Sequence, residues 1–356
     1  MKHFFTVLSV LFIATASAAV AQMTTATTPT MPRLHHVGLN SVDPDRAIDW
    51  YLKVWPSAKR TKVAGFPAVQ TDMLLLFNKV DRAPEGGWRD DLHRGVPQSP
   101  FWHIGANINT TDMAERLRAV AVSHLPLYIA PNDTTHTVWR SGLAPYAGTL
   151  TAAQIAQAMR AEPTASRDGG FSYVLAPEGV LFEFTGGPET KPSFSHLHFF
   201  HEQPQCAANW YVKNLGMQLP PVRDAKGVET PRTPVEPCEI KYAEATWPAL
   251  EPAGTVRQPA GSVRFANGSM AWYPRQCVEQ RCGRDQPFVH SRGQLLDHVA
   301  FSVDDFDALF ARLSSSGVTI LERPHAFGET RAFMIEDPDG LAIELIDARL
   351  PGTARP

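Results

Sequence analysis

The chain has 356 residues, 44% of them hydrophobic, enough for two packed domains with ordinary cores and too apolar for a disordered or fibrous protein. Its 33 basic and 36 acidic side chains leave a net charge of −3. That balance offers no basic face to nucleic acid and no polybasic segment to anionic lipid, so a small-molecule substrate is the expected partner.

The first residues read as a leader. Lys2 and His3 precede an apolar run from Phe4 to Ala14, and small residues follow up to Ala19-Val20-Ala21-Gln22, the A-x-A form that a signal peptidase accepts. The run is too short to span a bilayer comfortably. Residues 1–22 are therefore expected to be a signal peptide cleaved near Ala21, which makes the mature protein secreted or periplasmic. Losing Lys2 takes the charge from −3 to −4. No later stretch is long and apolar enough for a transmembrane helix, so no membrane contact is expected after leader removal. Export bears on Cys206, Cys238, Cys277 and Cys282, an even number compatible with two disulfides in an oxidising compartment. Three pairings are open; closing a small loop with Cys277 and Cys282 would leave Cys206 with Cys238.

In chain order, a strand from Leu34 to Asn40 opens the first module. Asp43 is a helix cap with Pro44 at the first helical position, and Ile48, Tyr51, Leu52 and Trp55 recur with helical spacing. Strands follow near 59–64 and 73–80. A second module starts at Phe101, with a short helix from about Asp112 and an insertion from about Pro131 to Ser166 that carries a helix around 151–161. Pro188 to Pro192 link to a third module with a Pro-rich excursion from Leu219 to Pro259. In the fourth, Asp304 is expected to cap a helix striped by Phe306, Leu309, Phe310 and Leu313, Gly317 stops it, and three strands end at Ile346.

Repeats tie these modules together. His36, Pro44, Trp50, Tyr51 and Lys53 recur at identical offsets as His196, Pro204, Trp210, Tyr211 and Lys213, which indicates duplication. Trp50, Tyr51, Trp210 and Tyr211 read as helix-face core. His103 and His298 occupy comparable early-strand positions. The hairpins YVLAPEGVLFEFTGG and FMIEDPDGLAIELID place Glu183 and Glu344 six residues past Pro177 and Pro338, each flanked by apolar residues. A carboxylate inside a buried strand costs several kcal/mol unless a cation meets it, and strand histidines could hold such a cation.

Four βαβββ modules, each opening with a His-bearing strand and two closing on Pro-x-Gly-x3-Glu, resemble the vicinal oxygen chelate superfamily. That superfamily includes glyoxalase I, extradiol dioxygenases and the bleomycin and fosfomycin resistance proteins. The likeness covers about Arg33 to Ala348. It implies an α+β fold of two glyoxalase-like domains with mixed, curled sheets around cavities, one domain spanning 33–188 (modules one and two) and the other 192–348 (modules three and four). It also implies two metal sites, His36 with His103 and Glu183, and His196 with His298 and Glu344. Two imidazoles and one carboxylate leave open positions that suit Fe(II) or Mn(II), with Zn(II) or Ni(II) as alternatives. A fourth protein ligand is missing from both, because the last strands of modules one and three read DMLLLFNK and GSMAWYPR.

The extradiol signature is met in part. Module four supplies His325, Phe333, Asp337, Pro338, Gly340 and Glu344, with Met334 where the resemblance calls for Tyr; module two supplies Tyr173, Ala176, Pro177, Gly179 and Glu183 without an upstream His. His325 and Tyr173 are the candidate proton-moving residues. The expected function is a metal-dependent enzyme acting on a small oxygen-chelating substrate, as an extradiol-type dioxygenase or as a lyase or isomerase. The alternative is a metal-free drug-binding protein of the bleomycin-resistance kind. Glutathione-dependent chemistry is disfavoured by export, since that thiol is cytosolic.

Overall fold

In a computed structural model of the chain the described residues are 30–87, 99–122, 124–125, 128–130, 133–137, 171–185, 190–201, 203–239, 261–273 and 288–348. The expected signal peptide, the helix around 151–161, and Cys277 and Cys282 lie outside them. Module one comprises β1 (Arg33–Ser41), α1 (Pro44–Val54), β2 (Lys59–Val63), β3 (Phe66–Gln70) and β4 (Leu74–Lys79). Module two has β5 (Phe101–Asn107), α2 (Thr110–Ala119), the short β6 (His124–Leu125), β7 (Tyr128–Ala130) and β8 (Asp133–Thr137), then β9 (Phe171–Leu175) and β10 (Leu181–Thr185). Module three has β11 (Ser193–Phe200), α3 (Pro204–Leu215), the two-residue β12 (Val222–Arg223) and β13 (Glu229–Thr230), then β14 (Gly261–Phe265) and β15 (Gly268–Tyr273). Module four is β16 (Leu296–Val303), α4 (Phe306–Ser315), β17 (Thr319–Phe327), β18 (Thr330–Glu336) and β19 (Ala342–Asp347).

Local chemistry sets these boundaries. Asp43 accepts a hydrogen bond from the Arg46 amide at 3.1 Å and Pro44 fills the next position, so α1 starts there and buries Ile48, Tyr51 and Val54. The cap of α4 is Asp305 rather than the expected Asp304, and it makes no side-chain capping bond. The β18–β19 turn is an Asx turn: Asp337 Oδ1 accepts from the amides of Asp339 and Leu341, both at 2.9 Å, and Gly340 takes φ +87°. Strand β3 contains Pro67, which obscures its strand pattern in the sequence. Cys206 and Cys238 form a disulfide that ties α3 to the Pro-rich excursion.

The sheets correct the expected pairing of modules. One sheet runs β17-β18-β19-β16-β1-β4-β3-β2 and joins modules four and one; the other runs β14-β15-β11-β5-β10-β9-β6 and joins modules three and two. Both are mixed, with β1 antiparallel to β16 and parallel to β4, and β5 antiparallel to β11 and parallel to β10. A steric reason against joining modules three and four lies at two glycines. Each central pair sets the residue two past one module's first histidine opposite the partner's histidine, giving Gly38 against His298 and Gly105 against His196. A Cβ would come 2.3 Å from the His298 ring at Gly38 and 2.2 Å from the His196 ring at Gly105. Modules three and four carry His198 and Ala300 at that position, so pairing them with each other would supply no glycine.

Modules adjacent in sequence meet instead by packing. Tyr51 and Trp55 of α1 lie 5.6 and 5.2 Å, ring to ring, from Phe182 and Phe184 of β10, and Phe265 lies 5.2 Å from Phe301, within one continuous core. Tyr211 is fully buried and Trp210 packs beside it, as the helix-face reading expects. Hairpin turns fasten the contact: Glu178 Oε1 accepts from Ser41 Oγ at 2.6 Å, and Tyr211 donates to Asp337 Oδ2 at 3.0 Å.

Candidate metal centres

The six candidate ligands converge in two groups, with partners exchanged relative to the expectation. His36 joins His298 and Glu344, while His103 joins His196 and Glu183, because first strands pair across modules one and four and across two and three. In the first group His36 Nε2 lies 3.0 Å from His298 Nε2 and 3.5 Å from Glu344 Oε2, and His298 Nε2 lies 3.8 Å from that oxygen. In the second, His103 Nε2 is 3.3 Å from His196 Nε2 and 3.2 Å from Glu183 Oε2, and His196 Nε2 is 3.6 Å from Glu183 Oε1.

Bulges and outer partners set the tautomers of the first group. Asp297 sits in a register shift of β16, and its Oδ1 lies 2.8 Å from His298 Nδ1; Asp297 also accepts from the Gly293 amide at 2.8 Å and from Asn40 Nδ2 at 3.2 Å. Nδ1–H of His298 therefore donates to the carboxylate, and its Nε2 faces the cluster as a bare lone pair. His36 Nδ1 is similarly engaged by His35 Nδ1 at 2.8 Å. Burial, with His298 and His35 nearby, holds His36 well below the ordinary imidazole range, so it is neutral. Burial pushes Glu344 up, partly opposed by His298 and His325. Its Oε2 is buried with no hydrogen-bond partner.

These donors fit a divalent ion. Bonds of roughly 2.0–2.2 Å to one centre put neighbouring donors about 3.0–3.6 Å apart, close to the separations in both groups. A bare buried carboxylate oxygen facing two imidazole nitrogens is what a cation would satisfy and what neutral side chains leave costly.

The first group opens on a cavity of about 260 Å³. His325 lines it, as do Phe66, Asn78, Arg292, Glu322, Phe327 and Met334. Met334 pairs with Glu344 across β18–β19, so a thioether stands beside the candidate ligand where the extradiol pattern has a phenol. His325 Nδ1 lies 3.0 Å from the Arg323 carbonyl, which makes that nitrogen the donor and leaves Nε2 free to accept; Nε2 is 3.7 Å from Glu322 Oε2. Arg292 bridges Glu322 at 2.8 Å and Asp297 at 3.3 Å. Neither Arg292 nor Asp297 stands out in the sequence, because a loop and a bulge bring them to the cavity.

The second group holds a residue the sequence analysis passed over. His198 lies with His103, His196 and Glu183, so four donors gather there instead of three. Its ring stacks on His196 at 4.0 Å and meets His103 at 4.5 Å. Burial lowers His196 to about 4 despite the opposing pull of Glu183, and burial with His196 and His103 holds His198 well below the ordinary range. His196 Nδ1 is 3.0 Å from Ser195 Oγ. The register places Tyr173 directly opposite Glu183 on β9–β10, the counterpart of Met334. The i, i+2 spacing of His196 and His198, which puts both on one strand face, was the available signal.

Comparisons with known proteins agree with this architecture. The sequence model of the Glyoxalase/Bleomycin resistance protein/Dioxygenase superfamily matches residues 193–345. Glyoxalase I from Zea mays superimposes with a TM-score of 0.51 at 13% identity, over 89% of this chain and 92% of that one. A putative dioxygenase from Bacillus subtilis subsp. subtilis str. 168 superimposes with a TM-score of 0.52 at 12% identity, over 90% of this chain and 87% of that one. At such identities the likeness shows the fold alone. No curated protein matches the chain in sequence.

Proposed function

We propose that this chain, whose third and fourth modules belong to the Glyoxalase/Bleomycin resistance protein/Dioxygenase superfamily, is an exported metal-dependent enzyme. It acts at the His36–His298–Glu344 cavity on a small organic substrate that presents neighbouring oxygens. The observation that carries the reading is the convergence of two imidazole nitrogens and an unsatisfied, buried Glu344 oxygen on an open cavity. Fe(II) or Mn(II), with Zn(II) or Ni(II) as alternatives, would supply Lewis acidity and a template for a chelating substrate.

The protein's own groups divide the remaining work. Asp297 fixes the His298 ring and its tautomer through Nδ1. His325 Nε2 takes a proton from the bound substrate, and Glu322 at 3.7 Å stabilises the imidazolium that results. Met334 offers no acidic hydrogen, so proton handling falls on His325. Phe66, Phe327 and Met334 give the cavity apolar walls that exclude water from part of the substrate. The reaction class is dioxygenation of a catechol-like diol or a lyase or isomerase step.

The test is metal analysis of protein purified without chelator, repeated on His298→Ala and Glu344→Ala. Loss of one equivalent of Fe or Mn in each variant supports the enzyme; no bound metal together with retained ligand binding would move the protein to the drug-sequestering alternative. Oxygen uptake with a catechol panel then separates dioxygenase from lyase chemistry.

A further inference from the structure

We propose that the second cluster is a closed, four-donor metal site in which the His198 imidazole is the fourth ligand, and that its ion serves the fold rather than a reaction. The inference goes beyond the reading of the cavity site and does not depend on it. Three observations converge on His198. Its nitrogen belongs to the same donor group as those of His103, His196 and Glu183, all within 4.8 Å of one another. Its Nδ1 is buried with no hydrogen-bond partner. It also occupies the place where a ligand is missing.

That place follows from register. On the ligand-bearing side, Glu183 of β10 lies beside Gly105, two residues past His103. By the same relation Ala271 of β15 lies beside His198, two residues past His196. Ala271 thus stands where a second last-strand carboxylate would be, and the His198 ring takes the adjoining space. At the cavity site the corresponding neighbours are Leu76 beside Gly38 and Ala300 beside Glu344, none of which can donate to a metal except Glu344 itself. One site therefore has three donors and an opening, the other four donors.

Aromatic side chains flank the His198 side of the second cluster. Trp102, brought to this face by the register shift between β5 and β11, stacks on Phe200 at 5.1 Å and meets Tyr273 edge-on at 5.5 Å; His198 lies 5.1 Å from Tyr273. The separations of 3.2, 3.3 and 3.6 Å among His103, His196 and Glu183 suit a tetrahedral ion of the zinc type, and with His198 as the fourth donor, within 4.8 Å of the others, no position would stay open.

The experiment uses the full chain carrying Glu344→Ala, so that the cavity site is disabled, loaded with Co(II) or Zn(II). The expected result is one ion per chain, with the intense visible absorption of tetrahedral Co(II), and a thermal midpoint raised by Zn(II). His198→Ala in that background should bind at least tenfold more weakly, and its Co(II) absorption should collapse toward the weak bands of higher coordination. His198→Phe keeps a ring between Trp102 and Tyr273 but has no donor nitrogen. If it folds and still binds Co(II) with the parent's spectrum and affinity, His198 is packing only. Failure of the Glu344→Ala chain to bind any ion overturns the site altogether.

Discussion

A candidate metal ligand is defined as much by what stands behind the ring as by the ring itself. Asp297 holds His298 through a 2.8 Å contact to Nδ1, so Asp297→Asn, which can present an N–H in place of the acceptor, should weaken metal binding at the cavity site about 10–100-fold. Competition titration with a chromophoric chelator measures this, and unchanged affinity would rule out the positioning role. Gly38 is needed for space, since its φ is ordinary and a Cβ would meet the His298 ring at 2.3 Å. Gly38→Ala should therefore displace the ring and remove the cavity-site metal while far-UV circular dichroism stays native. His201 gives a pH prediction. Its Nδ1 accepts from the Gln203 amide at 2.7 Å, and burial holds the imidazole down to about 3 from 6.5. Asp339 lies 3.3 Å from the same nitrogen, but a nitrogen already accepting an amide hydrogen is neutral, so the contact is not an ion pair. Between pH 6.5 and 3 the unfolded chain binds the extra proton and the folded chain does not. This contribution to stability is complete above pH 6.5 and is lost as pH falls toward 3. His201→Asn, which keeps an acceptor, should flatten the decline between pH 7 and 5 in urea denaturation.

Among the elements, the closing hairpin shows how much a turn can carry. Asp337 accepts from two backbone amides and from the Tyr211 hydroxyl of a different module. Asp337→Ala strands all three donors in buried surroundings and should cost about 2–4 kcal/mol in chemical denaturation, each lost partner contributing of order 1 kcal/mol. A loss below about 0.5 kcal/mol would mean that water or relaxation replaces the carboxyl. The hairpin was legible in the sequence, since a Pro-x-Gly turn between two apolar segments marks two paired strands; that Asp337 makes it an Asx turn was seen only in the structure. The bulges were not. Asp297 and Trp102 acquire their positions from register shifts in β1–β16 and β5–β11, and a shift of one residue between paired strands leaves no local mark in either strand's pattern.

For the whole molecule, the consequence is that neither half of the chain contains a complete sheet. A fragment ending at residue 190 carries β1 and β5 without β16 and β11, and so exposes two central strand edges. Expressed alone it should be insoluble or self-associated, and mixing it with the complementary fragment should restore a 1:1 complex by light scattering. A monomeric, folded N-terminal fragment would contradict the crossed pairing. The sequence by itself determined the module count, the α+β class and the six residues that gather in the two candidate clusters. Duplication, strand periodicity and a carboxylate stranded among apolar residues are properties of local order along the chain. Which histidine clusters with which glutamate, the position of His198 beside His103 and His196, and the placing of Arg292 and His325 around one cavity were decided only in three dimensions. Four similar first strands can pair in several ways; the lack of a glycine opposite a histidine counts against joining modules three and four, and such a fit between residues far apart in the chain is encoded in no local pattern.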